Sequence, residues 1–310
     1  MGTFETIGSE AQFVLISQNP KSGAGNRAKL IGQLVEQLTR QQWQVEVHQD
    51  VDVVCRRAEE LLKAGSLRTV VSAGGDGTVS LLANRLPPEV PFTVLPMGTA
   101  NLLAKYLDAP SDPVKVAANI ASGKTIRMDV GRANEKLFLV VASCGFDADV
   151  VNRLHAARTG HISYWSYVKP VWESIFKYRY PSMTFTADGQ RLEPAKWAFV
   201  LNVPRYAIGL RFVDDADGRD GRLDLCSLKN GGFLTGLYYF FLVQLRLHTR
   251  SSATQFARFE KLVIESASEG EQIPVELDGD PAGYLPLELT VIQDRLRVIV
   301  SDTWLDEHDA

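Results

Sequence analysis

A glycine-rich segment at residues 72–78 is the part of the sequence best suited to chemistry. It reads Ser-Ala-Gly-Gly-Asp-Gly-Thr and follows the β-branched run at residues 69–71. Glycines let a backbone approach a ligand closely, and successive N–H groups in such a turn form a concavity that binds anions. The spacing of Leu81, Leu82 and Leu86 predicts a helix after the loop, whose N-terminal end adds positive potential. The segment predicts a phosphate site, with an ordinary Asp-Gly turn as the alternative.

Two further loops repeat this order of strand, loop and helix. Residues 19–26 read Asn-Pro-Lys-Ser-Gly-Ala-Gly-Asn and follow a strand-like run at 13–16. Residues 96–101 read Pro-Met-Gly-Thr-Ala-Asn and follow a strand-like run at 92–95. Loops at the carboxyl ends of parallel strands gather at one edge of a sheet. The three loops are therefore expected to converge on one ligand.

A dinucleotide-binding fingerprint is the competing interpretation. Residues 23–28, Gly-Ala-Gly-Asn-Arg-Ala, fit it with alanine in the third glycine place, and Asp50 follows the next strand-like run. However, residues 19–22 separate the strand from the glycines, whereas the fingerprint places its first glycine at the turn itself. This interpretation also leaves the other two loops unexplained. No Gly-x-x-x-x-Gly-Lys-Ser/Thr segment occurs, which excludes a P-loop.

Length and composition limit the class of protein. With 310 residues, of which 45% are apolar, the chain can form two cores. The formal net charge of −4 argues against general nucleic-acid binding, which favours a basic face. Three cysteines far apart in sequence are typical of reduced thiols in a cytosolic protein. No run of 18 apolar residues and no secretory signal is visible, so a cytoplasmic protein is expected.

The pattern of elements predicts an α/β protein in two parts. Strands and helices alternate between residues 12 and 128, which indicates an N-terminal open parallel α/β domain. Short β-rich runs follow at high density, which indicates a mostly antiparallel β-sandwich domain. Two aromatic-rich segments, 162–180 and 233–247, are predicted helices inserted in it. Their apolar faces either pack on a core or hold an acyl chain or rest on a bilayer surface.

Six segments together resemble the diacylglycerol kinase catalytic-domain family. They are the loops at 19–23, 74–78 and 96–101, together with Arg-Met-Asp-Val-Gly at 127–131, Asp-Gly-Arg-Leu-Asp at 220–224 and Leu-Asp-Gly-Asp at 277–280. The resemblance is to bacterial soluble lipid kinases, which are related to sphingosine and ceramide kinases and to the NAD kinase superfamily. It extends over nearly the whole chain. It implies a nucleotide-binding domain at residues 11–129, completed by residues near 300–310, and a lipid-substrate domain at 130–299.

The function implied by the resemblance is that of an ATP-dependent lipid kinase. Such an enzyme transfers the γ-phosphate of ATP to the hydroxyl of a diacylglycerol-like lipid, with Mg²⁺ spreading the developing charge. The lipid would be presented at a membrane surface, which places the protein in the cytoplasm or peripherally at the inner membrane face; a homodimer is left open. The alternatives are a kinase of a soluble substrate such as NAD and an inactive nucleotide- or lipid-binding protein.

The resemblance also assigns site residues. The residues it assigns to the nucleotide are Asn19, Pro20, Lys21, Ser22, Gly23, Gly74, Gly75, Asp76, Gly77, Thr78, Thr99 and Asn101. Asp280 aligns with the catalytic glutamate of the family, Asp76 is the expected carboxylate for magnesium, and Asp129 joins that network. A second, structural Mg²⁺ site is implied at Asp220 with backbone oxygens of Asp217 and Arg222; a solvated charged loop is the alternative.

This chain departs from the family pattern at two positions. It has Asp278-Gly279-Asp280 where the family usually has Asp-Gly-Glu, so the candidate base is one methylene shorter. It has His48 where threonine is common. A shorter carboxylate can still act if the backbone lies closer to the substrate or a water intervenes.

Overall fold

The computed structural model describes residues 4–18, 26–157, 168–204, 206 and 210–308. The chain divides into two compact units, one formed by Met1–Met128 with Gln293–Ala310 and the other by Asp129–Ile292. They are called the first and the second unit below. The strands are β1 (Glu5–Thr6), β2 (Phe13–Gln18), β3 (Gln44–His48), β4 (Leu67–Gly74), β5 (Pro91–Pro96), β6 (Lys124–Ala133), β7 (Lys136–Phe138), β8 (Val141–Gly145), β9 (Met183–Ala187), β10 (Gln190–Ala195), β11 (Trp197–Leu201), β12 (Leu223–Leu228), β13 (Thr254–Phe259), β14 (Lys261–Ser266), β15 (Pro274–Leu277), β16 (Asp280–Tyr284) and β17 (Leu287–Ile299). The α-helices are α1 (Asn26–Arg40), α2 (Val51–Lys63), α3 (Asp76–Arg85), α4 (Leu102–Tyr106), α5 (Pro113–Ser122), α6 (Phe146–Ala156), α7 (Val168–Lys177), α8 (Phe233–Gln244) and α9 (Asp302–His308).

The first unit contains a parallel sheet in the order β3-β2-β4-β5-β17. All eight residues of β4 are buried, as expected for a central strand covered on both faces. Side chains of α1 and α5, such as Leu34, Leu38 and Ile120, pack with Val14 and Val71 in one core. The prediction of an open parallel α/β domain is confirmed.

Strand register brings the carboxyl ends of β2, β4 and β5 to one level. Gln18 pairs with Ala73, and Gly74 pairs with Pro96. Each strand therefore ends beside the next, and the loops that follow begin at the same sheet edge. In such sheets this edge is the usual place for a ligand.

The second unit is an antiparallel sandwich. One sheet runs β13-β12-β11-β8-β15-β16, and the other contains β10, β9, β14 and the Leu287–Thr290 part of β17. Cys144, Val200 and Leu225 of the first sheet share a core with Phe185 and Ile264 of the second. Alternate residues of both sheets thus point inward, as a sandwich requires. The predicted β-sandwich is confirmed.

Helices α7 and α8 lie within the two aromatic-rich segments. Residues 162–167 lie outside the described part of the chain, and α7 occupies 168–177. Helix α8 ends at Gln244, and a short 3-10 turn follows at His248–Arg250. Within the described residues, no helix combines the length and the apolar character needed to cross a membrane.

Candidate active site

The glycine loop after β4 and the loop after β5 lie against each other in the first unit. The Met97 amide donates to the Gly74 carbonyl at 2.8 Å, and the Leu102 amide donates to Asp76 Oδ1 at 2.6 Å. Both helices that follow, α3 and α4, begin at this contact. Two of the three predicted loops therefore form one structure at the sheet edge.

Close backbone packing explains why glycine is needed at positions 75 and 98. A Cβ atom added to Gly75 would lie 2.9 Å from the Gly98 Cα atom, which is closer than real Cβ contacts allow. A Cβ atom on Gly74 would meet the Thr78 side chain. Glycine at these positions is thus required by the contact between the two loops, before any phosphate is considered. A bulky residue at Gly75 would separate the loops as well as fill the expected ligand space.

Asn101 closes the loop after β5. Its Oδ1 atom accepts a hydrogen bond from the Gly98 amide at 2.8 Å, and its Nδ2 atom donates to the Gly98 carbonyl at 2.9 Å. Its backbone is left-handed, with φ of 48°, which asparagine tolerates better than most residues. Asn101 therefore shapes the loop that carries Thr99.

Asp76 joins the two loops through its carboxylate. Burial raises the pKa of Asp76, while hydrogen bonds from backbone amides around Leu102 and Asn101 oppose that rise. The side chain lies at the start of α3 and receives the first amides of α4. Asp76 consequently orients the loops, and its predicted part in magnesium binding stays a prediction.

The loop after β2 carries five of the residues that the resemblance assigns to the nucleotide. Asn19, Pro20, Lys21, Ser22 and Gly23 lie outside the described residues. Strand β2 ends at Gln18, level with Ala73 of β4, and α1 begins at Asn26. The assignment of this loop to the nucleotide stays a prediction.

A tight hairpin turn carries Asp280 in the second unit. Asp278 and Gly279, with φ of 50° and 88°, connect the paired residues Leu277 and Asp280. Two residues of positive φ between paired strands are typical of a type I′ turn. The Asp278 carboxylate accepts hydrogen bonds from three successive amides, those of residues 139–141, at 2.8, 2.9 and 3.1 Å. Asp278 thus fixes the turn, while the Asp280 side chain is 57% exposed.

His155 of α6 is a neighbour of Asp280 that sequence reasoning missed. Its Nε2 atom lies 3.1 Å from the Gly279 carbonyl and 3.5 Å from Asp280 Oδ1. An imidazole nitrogen that bonds to a carbonyl oxygen carries the proton. His155 therefore presents an N–H group to the carboxylate. The two residues are 125 positions apart, so no local sequence signal connects them.

Asp129 is buried and holds the acidic turn of the second unit. Its amide donates to the Gly218 carbonyl at 2.7 Å, and its Oδ2 atom accepts from the Gly221 amide at 2.7 Å. The Asn202 side chain donates to the Asp129 carbonyl at 2.9 Å. These contacts give Asp129 a clear positioning role, and its part in catalysis stays a prediction.

The acidic turn has cationic side chains beside its carboxylates. Asp220 Oδ1 accepts from the Arg222 amide at 2.9 Å, and Asp220 Oδ2 lies 3.7 Å from Arg258 Nη1. Asp217 lies 3.7 Å from Arg219. The described residues contain no cluster of three His, Cys, Asp or Glu side chains able to hold a metal. These residues do not make a metal site by themselves, so Mg²⁺ at Asp217, Asp220 and Arg222 stays a prediction.

An apolar cavity of about 260 Å³ lies in the second unit, between α8 and the β11-β12 part of the sheet. Aromatic side chains such as Tyr180, Trp197 and Phe199 line it, with Val243 of α8. The volume is near the lower end of ligand pockets. Helix α8 also has a face turned to solvent, on which Leu234, Tyr238 and Phe241 are 76%, 54% and 54% exposed. Tyr239 of the same helix is buried, so the helix serves both the core and the surface.

Both parts of the chain match known protein families. Residues 13–133 match the diacylglycerol kinase catalytic domain, and residues 140–300 match the YegS C-terminal NAD kinase beta sandwich-like domain. The second match alone extends over more than half of the 310 residues. The chain belongs to the family of the YegS C-terminal NAD kinase beta sandwich-like domain, and its N-terminal part matches the diacylglycerol kinase catalytic domain. The two matches together place the chain in a kinase family and confirm the resemblance seen in the sequence.

Relatives in this family match over most of their length. A diacylglycerol kinase from Bacillus subtilis (strain 168) is 24% identical over 297 residues, or 92% of this chain and 95% of the relative. A diacylglycerol kinase from Mycobacterium tuberculosis (strain ATCC 25618 / H37Rv) is 28% identical over 299 residues, or 91% and 93%. Identity at this level supports a kinase and leaves the acceptor open.

Solved structures agree on the fold. The crystal structure of a diacylglycerol kinase from Bacillus anthracis str. Sterne has a TM-score of 0.69 and 20% identity, covering 96% of this chain and 99% of that one. Yeast NADH kinase complexed with NADH has a TM-score of 0.55 and 12% identity, covering 99% and 91%. The α/β fold with a β-sandwich is therefore shared with both kinds of kinase.

Proposed function

We propose that this protein is an ATP-dependent lipid kinase that phosphorylates the hydroxyl of a diacylglycerol-like lipid. The observation that carries the kinase assignment is the contact between the glycine loop at 74–78 and the loop at 96–101. It brings two helix N-termini and a set of backbone amides to the carboxyl edge of a parallel sheet. Such an edge favours a phosphorylated ligand. The names of the relatives support the same chemistry.

In this proposal the glycine loops hold ATP and Asp280 acts as the general base. ATP contributes the phosphoryl group, and the residues of the glycine loops position its phosphates. Asp280 accepts the proton of the attacking hydroxyl as the new oxygen–phosphorus bond forms, while the bond between the γ-phosphorus and the β,γ-bridging oxygen breaks and ADP leaves. The hairpin fixed by Asp278 presents Asp280 to solvent, as access to an exchanging lipid requires. No step is assigned to Mg²⁺, because the described residues do not by themselves form its site.

A lipid acceptor is supported by the second unit. Its apolar cavity can take part of a hydrocarbon chain, and the solvent-facing side of α8 is rich in leucine, tyrosine and phenylalanine. Exposed apolar patches of this kind are typical of interaction surfaces, and aromatic rings suit the boundary of a bilayer. We propose that this face of α8 rests reversibly on a membrane surface, the place where the lipid is presented.

Incubation of the purified protein with labelled ATP, Mg²⁺ and two acceptor sets tests the proposal. One set is a total lipid extract with added diacylglycerol in mixed micelles, and the other is a mixture of soluble metabolites that contains NAD. We expect label in the lipid fraction alone. Label in NAD would instead favour a soluble-substrate kinase, and no product with either set would favour a binding protein. The Asp280→Asn variant is the matched control for contaminating kinases.

A further inference from the structure

A carboxylate lies in the wall of the apolar cavity in the second unit. Asp147, the second residue of α6, lines the cavity together with Phe199, Phe212 and Val243. Burial raises the pKa of Asp147, and the residue as a whole is only partly exposed. A polar group in such a place costs free energy unless it meets a hydrogen-bond partner. The cavity is therefore suited to a ligand whose polar end lies beside Asp147.

The hydrogen bonds of Asp147 leave one oxygen for a ligand. Ser143 Oγ donates to Asp147 Oδ2 at 2.9 Å, and the Tyr206 hydroxyl donates to the same oxygen at 2.5 Å. Among the described residues, neither bond involves Oδ1. A carboxylate oxygen is an acceptor, so the group that binds there must be a donor.

A second buried carboxyl lies on the other side of Ser143. Glu276 of β15 is fully buried and is the cross-strand partner of Ser143. Its Oε2 atom accepts the Gly279 amide at 2.7 Å, while Oε1 has no hydrogen-bond partner in the described part of the protein. Burial and the nearby charge of Asp147 hold the pKa of Glu276 well above its usual range. Two buried carboxyls this close do not both ionise readily, so the pair carries at most one negative charge, and Asp147 is the member that lines the cavity.

We propose that Asp147 anchors the head of an amphiphile whose hydrocarbon chain fills the cavity and whose head is a hydrogen-bond donor, either a hydroxyl or an ammonium. This deepens the proposed function and rests on it in one respect, since the bound amphiphile is taken to be the phosphoryl acceptor or its near analogue. A head with acceptors alone, such as an ester, gains no bond from Asp147. A carboxylate head is repelled by it.

The anchor is connected to the candidate base through the protein. Ser143 links Asp147 to the strand pair with Glu276, and Glu276 holds the amide of Gly279, the residue before Asp280. All these groups belong to the second unit. A ligand head at Asp147 therefore binds to the same polar network that shapes the Asp280 hairpin.

Binding of three probes, each with a ten-carbon chain, tests the proposal without ATP. The probes are 1-decanol, decylamine and methyl decanoate, each below its aggregation limit, and the readout is the tryptophan emission change from Trp197 in the cavity wall. We expect decanol and decylamine to bind at least about tenfold more tightly than methyl decanoate, as a hydrogen bond to a charged group provides. The order of decanol and decylamine then tells whether a hydroxyl or an ammonium is preferred. A Trp197→Phe variant must lose the signal.

The matched variants are Asp147→Asn and Asp149→Asn. Asp149 lies two residues after Asp147 on α6, pairs with Arg153 and is absent from the cavity wall. We expect Asp147→Asn to lose the preference for decylamine over methyl decanoate and Asp149→Asn to keep it. Equal binding of the three probes by the unmodified protein, no emission change with any of them, or unchanged preferences in Asp147→Asn would each overturn the proposal. If Asp147→Asn does not fold, the probe series on the unmodified protein still decides.

The two proposals fail separately. Probe binding as expected, together with no lipid phosphorylation, would leave the anchor standing and remove the lipid kinase function. Lipid phosphorylation together with equal binding of the three probes would leave the lipid kinase function standing and remove the anchor.

Discussion

Asp280 is the general base in the proposed function. A positioned general base contributes ~10²–10⁴-fold to rate, and Asp280→Asn removes the base while keeping its size. We expect kcat to fall by that factor with little change in ATP affinity. Steady-state kinetics with the lipid acceptor provides the measurement, and a thermal melt confirms that the variant is folded.

The reverse substitution is the matched control for this prediction. Asp280→Glu restores the usual family residue, and we expect it to keep or raise activity because the hairpin that presents the carboxylate is unchanged. Full turnover in Asp280→Asn would remove this residue from the chemistry.

Glu276 makes the stability of the second unit depend on pH. The pKa of this carboxyl is raised in the folded protein by burial and by Asp147, so the unfolded chain loses its proton first as pH rises. Between the ordinary pKa near 4.5 and the raised one, the folded state binds more protons, and the free energy of unfolding falls as pH rises.

Glu276→Gln removes the titrating group. We expect the unfolding free energy of the unmodified protein to fall between pH 5 and pH 8 more steeply than that of the variant, by up to about 1.4 kcal/mol per pH unit. Urea unfolding at several pH values measures both slopes. Parallel pH profiles would show that Glu276 ionises normally in the folded protein.

At the scale of elements, helix α8 connects the sandwich to the proposed membrane surface. Tyr238 and Phe241 are each 54% exposed, whereas Tyr239 is buried, and its hydroxyl oxygen accepts a hydrogen bond from the Asn230 amide at 3.2 Å. The segment at 233–247 was expected to serve either a core or a lipid surface, and the structure divides these roles between neighbouring residues. When apolar residues surround a helix on all sides, the sequence pattern does not show which face is buried and which is exposed.

Replacing the two exposed rings tests the role of α8. We expect Tyr238→Ser with Phe241→Ser to reduce binding to diacylglycerol-containing vesicles and lipid turnover several-fold, while ATP affinity is unchanged. Val114→Ser, at another apolar residue that is 54% exposed but lies in the first unit, is the control. Equal vesicle sedimentation of both proteins would contradict a lipid role. A dimer that the double variant dissociates would assign the face to a second copy of the chain.

At the scale of the whole molecule, the chain ends contribute to the first unit. Residues 293–310 return to it, where Arg297 and Val298 of β17 pair in parallel with β5. Trp304 of α9 is fully buried, and its Nε1 atom donates to the Tyr106 carbonyl at 3.0 Å. The first unit therefore needs residues from both ends of the sequence.

Trp304→Ala tests this dependence. A buried aromatic replaced by alanine costs about 3–5 kcal/mol, so we expect a lowered unfolding free energy and weakened ATP binding. Trp172→Ala, in which the lost side chain is 55% exposed, serves as the comparison and should change stability by less than about 1 kcal/mol. Similar effects of the two substitutions in chemical unfolding would contradict the role given to α9.

The sequence by itself determined the fold class, the family and the positions of the loops. Glycine clusters after β-branched runs, alternating strands and helices, and the later density of short strands are local signals, because each depends on the conformational preferences of adjacent residues. For the same reason the helices at 76–85, 102–106 and 233–244 could be expected from spacing alone.

Only the tertiary structure decided which side chains meet. The contact of Gly75 with Gly98, the approach of His155 to Asp280, and the set formed by Ser143, Asp147 and Glu276 join residues from different elements. Strand β8 leads through Gly145 directly into α6, but nothing in the local sequence indicated that a cavity lies beside Asp147. Such contacts are set by strand register and by packing between layers, which place residues far apart in sequence within hydrogen-bond distance.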